Sequence, residues 1–146
     1  MRTSGWVLCL AAFLACGAVP MRLGATEPSV KVIVHPTRAG QLSDGELRAI
    51  YLKQKQFWGD GQPVVAINRE VGSQARELFS ERLFGQNSRR LAGYWNQRYF
   101  EAGEFPPATL ASDEAVIRFV EGNPNAIGYT VAETPPDSVV VLRELR

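Results

Sequence analysis

The chain has 146 residues, 45% of them hydrophobic and 21% charged, with 16 basic and 15 acidic side chains and a formal net charge of +1. That length suits one domain. The composition excludes collagen-like, low-complexity and largely disordered chains, and the balanced charge lacks the basic footprint of a nucleic-acid binder. One histidine and two cysteines leave little material for a metal site.

Met1-Arg2-Thr3-Ser4 is short and positive, and Gly5 to Val19 is uncharged and mostly apolar. The apolar run of about 15 residues is shorter than the roughly 20 that a spanning helix needs, and Pro20 breaks it. Residues 1–25 are therefore expected to be a secretory signal, leaving 26–146 as the exported domain. Cleavage is expected after Leu23-Gly24-Ala25, with the earlier Cys16-Gly17-Ala18 as an alternative. Lipidation at Cys16, preceded by Phe13, Leu14 and Ala15, is the minor alternative for the leader, and an uncleaved anchor is a third. Arg2 and Arg22 leave with the leader, so 14 of the 16 basic residues and all 15 acidic ones remain, for a net charge of −1. Both cysteines leave too, which excludes thiol, disulfide and thiolate-metal chemistry from the mature chain.

Lys31 to His35 reads as a first strand closed by Pro36-Thr37. Ser43 and Glu46 stand at the capping-box spacing, and Leu47, Ile50 and Tyr51 follow at helical intervals. Trp58-Gly59-Asp60-Gly61 is a turn, and Val64 to Ile67 is a continuous apolar run that suits a buried strand. Gly72-Ser73 opens a second helix with Ala75, Leu78, Phe79 and Leu83 inward; Leu91, Tyr94, Trp95 and Tyr99 form the same stripe in a third. Phe105-Pro106-Pro107 is a break. Ser112-Asp113 caps a fourth helix with Val116, Phe119 and Val120 inward, ended by Gly122-Asn123-Pro124. Ala126 to Thr130 is a strand whose Gly128 marks a close backbone approach, and Val139 to Leu142 is the last strand. Strands alternating with helices predict one α/β domain with a mainly parallel sheet flanked by helices.

The stretch from Ile67 to Arg76 carries the most chemistry. A buried strand ends, a glycine turn follows, and a helix starts at Ser73. The first turn of a helix has N–H groups without intrahelical partners, and its dipole favours negative charge. Arg69 stands just past the strand end, where an open α/β sheet places its ligands, and a guanidinium can grip an oxyanion with two parallel bonds. Ser73 is equally an ordinary N-cap and Arg69 an ordinary structural arginine, and spacing alone favours that plainer assignment. The pattern is not a P-loop.

Read in order, Ile50-Tyr51-Leu52, Phe57 to Gly61, Val65 to Arg69, Gly72-Ser73, Phe79 and Ala126 to Tyr129 resemble one domain of the phosphate-binding proteins of ABC importers, which are type 2 periplasmic binding proteins. Tyr94-Trp95, Phe100 to Pro107 with Gly103, and Ile127-Gly128-Tyr129 are similar to a group of short secreted proteins described as phosphate ABC transporter substrate-binding-like. The resemblance covers about residues 30–142. It implies the fold of one lobe of such a binder. It also implies an Arg-x-x-x-Ser-Gly-Thr anion segment in which Arg69 and Ser73 match, while Gln74 replaces glycine and Ala75 replaces threonine. The expected ligand is phosphate or a similar small anion, held by Arg69, Ser73 and the amides of Gln74 and Ala75, with no cofactor and no metal. A membrane permease or sensor is the implied partner. The missing second lobe leaves one wall of the site to a second copy of the chain or to another domain.

The remaining residues point elsewhere. His35, at the end of the first strand and so near the expected crevice, has no paired nucleophile or base, and no nucleophile elbow is recognisable, so an enzyme is not expected. Trp58, Tyr94, Trp95, Tyr99 and Phe100 are expected in the core and its rim, with an exposed aromatic patch as the alternative. Arg89-Arg90 reads as a solvated helix start, and Asp60 and Glu70 as single carboxylates in turns. An accessory or interaction module of an envelope sensor or transporter, without ligand capture, is the second functional expectation.

Overall fold

The computed structural model describes residues 27–146. The expected leader, both cleavage positions and Cys16 lie outside the described residues.

The first strand, β1 (Val30–Val34), ends at a 3-10 turn over Pro36–Arg38 that His35 caps, its Nδ1 accepting from the Thr37 amide at 3.2 Å. α1 (Asp44–Tyr51) begins at the expected capping box: Ser43 Oγ accepts from the Glu46 amide at 3.2 Å, and Glu46 Oε2 accepts from the Ser43 amide at 3.1 Å. β2 (Val65–Arg69) leads through a turn to α2 (Gln74–Phe84), which Ser73 caps and Gly85 ends in the left-handed conformation with φ 68°. α3 (Ser88–Ala102) follows, capped by Asn87. A short strand, β3 (Ala108–Leu110), then α4 (Asp113–Gly122), β4 (Ala126–Thr130) and β5 (Val140–Leu145) complete the order. β3 follows directly on the Phe105-Pro106-Pro107 break, where no strand was expected.

The sheet order is β3-β2-β4-β1-β5. β2 pairs in parallel with β3 and β4, whereas β1 pairs antiparallel with both β4 and β5. The strands therefore all run one way except β1, and the sheet is mainly parallel as expected. The reversal of β1 corrects one placement. His35 follows the C-terminal end of β1, beside the N-terminal ends of β2 and β4, so it lies across the sheet from the crevice at their C-terminal ends.

Both faces of the sheet are covered. On one, Val30, Val32 and Val34 alternate inward against Leu47 and Ile50 of α1 and Phe79 and Leu83 of α2. On the other, Ile33, Ile67 and Ala126 meet Val116 and Val120 of α4. Gly128 makes the second contact possible: a Cβ there would lie 2.5 Å from Val116 Cγ1. The far end of the sheet is pinned by Arg38, whose guanidinium reaches Asp60 at 2.6 Å, Asn125 Oδ1 at 2.5 Å and the Pro124 carbonyl at 3.1 Å. Its planar group lies over Trp58, and Trp58 Nε1 donates to the Asn125 carbonyl.

The aromatic expectation divides. Trp58 and Trp95 are buried, but the buried stripe of α3 stops at Trp95. Tyr99, Phe100 and Phe105 are 49%, 84% and 63% exposed, so the aromatic residues at the end of α3 and just after it form a surface group. Arg89 and Arg90 are exposed at the start of α3, as expected. No helix among the described residues is long and apolar enough to cross a membrane.

Candidate functional site

β2 delivers Arg69 to the C-terminal edge of the sheet, and the turn after it delivers Ser73, Gln74 and Ala75 at the start of α2. The four predicted residues are thus brought to one corner. Their polar groups have definite partners. The Arg69 guanidinium pairs with Asp113 at the start of α4 and donates to the carbonyls of Leu110 at 3.2 Å and Ala111 at 3.1 Å. Asp113 also accepts from Thr130 Oγ1 at 2.8 Å and from the Val131 amide at 3.0 Å, so this ion pair ties the ends of β2, β3 and β4 to α4. Ser73 Oγ donates to the Glu70 carbonyl at 2.7 Å and accepts from the Arg76 amide at 3.3 Å. The amides of Gln74 and Ala75 donate to no acceptor among the described residues, as expected for the first turn of a helix.

Glu77, one turn into α2, bends back over the same loop. It accepts from the Gly72 amide at 3.2 Å, from the Ser88 amide at 3.1 Å and from the Ser88 hydroxyl. Those hydrogen bonds, the Ser88 hydroxyl first, hold its carboxyl below the usual carboxylate range. A carboxylate of the chain therefore already sits between the first turns of α2 and α3, where two helix dipoles favour it.

Beside this corner, a cavity of about 330 Å³ opens between β2, β3, α2 and α3. Asn68 and Arg76 are among its polar lining, and Trp95, Tyr99, Phe105 and Pro107 among its apolar lining. None of Arg69, Ser73, Gln74 and Ala75 lines it. Arg76 is only 6% exposed, and its Nε and Nη1 have no partner among the described residues. Beneath it Tyr129, stacked on Phe79 at 3.8 Å, accepts from the Arg69 amide at 3.0 Å and donates to Asn68 Oδ1 at 3.1 Å. Burial pushes the Tyr129 hydroxyl up in pKa, and the nearby positive charge of Arg76 opposes that rise.

Sequence reasoning missed Arg76. The signal was present: Arg76 stands three residues before Phe79 and seven before Leu83, so it falls on the apolar face of α2. A charge on a buried face needs a partner or a purpose. The cavity itself has no local signature, since its walls come from four separated segments.

No protein-family model and no curated relative matches the sequence. Solved structures do match the fold. An ABC-type phosphate transport receptor from Vibrio cholerae superposes with a TM-score of 0.62 at 18% identity, over 79% of this chain and 45% of that one. A structure from Clostridium perfringens, described as a phosphate ABC transporter substrate-binding protein with bound phosphate, gives 0.58 at 24% identity, over 79% and 44%. PstS from Borrelia burgdorferi gives 0.52 at 19% identity, over 70% and 40%. The chain thus spans less than half the length of these structures, and it has the fold of a single lobe-like part of phosphate-binding receptors.

Proposed function

We propose that the chain is an exported, periplasmic solute-binding-like protein that takes phosphate or a similar small oxyanion at the start of α2, in association with ABC-type phosphate transport or sensing. Residues 1–25 serve as its secretory leader. The observation that carries this reading is the pair of unpartnered amides, Gln74 and Ala75, at the first turn of an 11-residue helix. They lie at the C-terminal end of β2, with Arg69 as the adjacent positive charge. The shared fold with receptors described as phosphate-binding supports the choice of anion.

In this reading the amides supply the first contacts, and Ser73 orients them by closing the helix cap. Arg69 contributes chiefly through its field while Asp113 holds it, and grips the anion directly only when that ion pair opens. The reading is tested by equilibrium binding and thermal melting. Phosphate at millimolar concentration should raise the melting temperature, and Arg69→Ala, checked for folding by circular dichroism, should weaken the effect. Absence of any shift in the folded wild-type protein removes the phosphate reading.

A second reading, an accessory module of an envelope transporter or sensor without ligand capture, is favoured by a different observation. Arg69 and the Ser73 hydroxyl already have internal partners, while Tyr99, Phe100 and Phe105 form an exposed aromatic group with centroids 5.7 and 5.1 Å from Tyr99. It predicts cross-linking to a membrane permease or sensor that is insensitive to phosphate and lost in Phe100→Ser.

A further inference from the structure

We infer that the outward face of α3 is an interface for a second copy of this chain, the two helices packing antiparallel about a two-fold axis. α3 buries one side only, with Ser88, Leu91 and Trp95 turned inward. The opposite face carries Arg89, Arg90, Gly93, Gln97, Phe100 and Glu101, all exposed. Two of these residues suit water poorly. Phe100 is a large ring with 84% of its surface exposed. Gly93 sits inside the helix, where glycine is weakening, and no close approach within the chain requires it: a Cβ there would meet nothing within 4 Å. A glycine two turns from an exposed ring, on the same face, leaves room for another surface to come close.

The charges select the occupant. The first turn of α3 has no acidic residue and the last turn no basic one. Arg89 and Arg90 instead stand at the positive end of the helix dipole and Glu101 at the negative end, the reverse of what a lone helix favours. The ion pairs among the described residues include none of the three. Glu77, the carboxylate at the start of α3, is taken by Ser88 and Gly72, and Glu101 accepts from Gln97 of its own helix at 2.8 Å. A second α3 laid antiparallel sets basic end against acidic end and opposes the two dipoles. The registers agree. With Phe100 on the partner's Gly93, Arg90 comes within two residues, or about 3 Å of helical rise, of the partner's Glu101. The two-fold axis makes each of these contacts twice. A 15-residue helix is only about 22 Å long, so the footprint is small and the dimer reversible.

The test is sedimentation equilibrium of the purified protein, with circular dichroism melts of each variant at low concentration. The wild type should dimerise with a Kd of about 1–100 μM at low salt, and more weakly as salt rises. Gly93→Gln should weaken the dimer at least about tenfold while raising the melting temperature of the monomer, since it fills the gap and strengthens the helix. Glu101→Arg should weaken the dimer at least about tenfold by setting like charges together, and adding Arg90→Glu to it should restore most of the affinity. That restoration is specific to the antiparallel arrangement. A protein that stays monomeric up to about 500 μM overturns the inference. So does a dimer indifferent to Gly93→Gln and Glu101→Arg, or a double variant no tighter than Glu101→Arg alone. A monomer whose Phe100 instead cross-links to a membrane permease or sensor gives the face to that partner and overturns it as well. Phosphate takes no part in the contact, so failure of the phosphate reading with the dimer intact leaves the inference standing.

Discussion

Gly128 shows how one residue sets the distance between two layers. Its missing Cβ lets Val116, fully buried, approach the β4 backbone. Gly128→Ala should destabilise the fold by about 1–3 kcal/mol, read as a lower urea midpoint at unchanged slope, because the valine has no room to retreat. Glu77 makes a pH-dependent contribution. Its folded pKa lies below the ordinary 4.5, so its stabilising hydrogen bonds are fully present above that value and are lost as pH falls through the lowered one. Glu77→Gln should flatten the acid side of the stability curve between pH 5 and 3 relative to wild type, measured by urea melts across that window. An unchanged acid limb would show that Glu77 contributes nothing to it and would contradict the lowered pKa. Glu46 follows the same sign: its interactions with Lys55 first, then Ser43, hold it at about 2. At this scale the sequence was legible where residues carry local signals. Gly128 in a strand, Ser43 with Glu46, and Ser73 before a helix all behave as their types imply. Arg76 escaped notice because its meaning depends on Tyr129, Asn68 and Trp95, which are distant in sequence.

Three helix starts were legible because each begins at a side chain that accepts from its own first turn, Ser43, Ser73 and Ser112; α3 was legible only from its apolar stripe, and its Asn87 cap was not read. Ser43→Ala should cost about 0.5–2 kcal/mol, seen as a fall in melting temperature, since it removes the hydroxyl that accepts from the Glu46 amide and leaves only the bond from the Ser43 amide to Glu46. β3 was not legible. It is three residues long, follows two prolines, and is mostly exposed, so it lacks both alternation and an apolar run. The direction of β1 was also hidden. β4 inserts between β1 and β2, and nothing local to β1 records that its neighbours are the last two strands. The Arg69–Asp113 pair works at the level of elements, joining β2 and β4 to α4. Asp113→Ala should be strongly destabilising, toward the low end of about 3–5 kcal/mol because both side chains keep some solvent contact. A thermal melt within a degree of wild type would contradict this role.

At the scale of the whole molecule, the fold and the length pull in different directions. The architecture is that of a receptor lobe, yet the chain spans 45% of the Vibrio cholerae receptor it superposes on. A site built on one lobe keeps its anion in contact with water, so its electrostatic attraction is screened on the Debye scale of roughly 8–10 Å at ordinary salt. Phosphate affinity in the proposed corner should therefore fall as ionic strength rises, unless a second copy or partner domain covers it. Length and the order of motifs made the single-lobe architecture legible from sequence. The state of the anion corner was not, because Arg69 acquires its Asp113 partner only when α4 packs across the sheet.

The most direct measurement of the central claim follows the backbone amide signals of Gln74 and Ala75 by NMR while phosphate is added to the folded protein. The anion reading predicts saturable shifts at these two amides in the millimolar range, with small or no changes at Trp95 Nε1. Amides that stay unmoved up to about 50 mM phosphate, or shifts confined to exposed lysines and arginines, would contradict it.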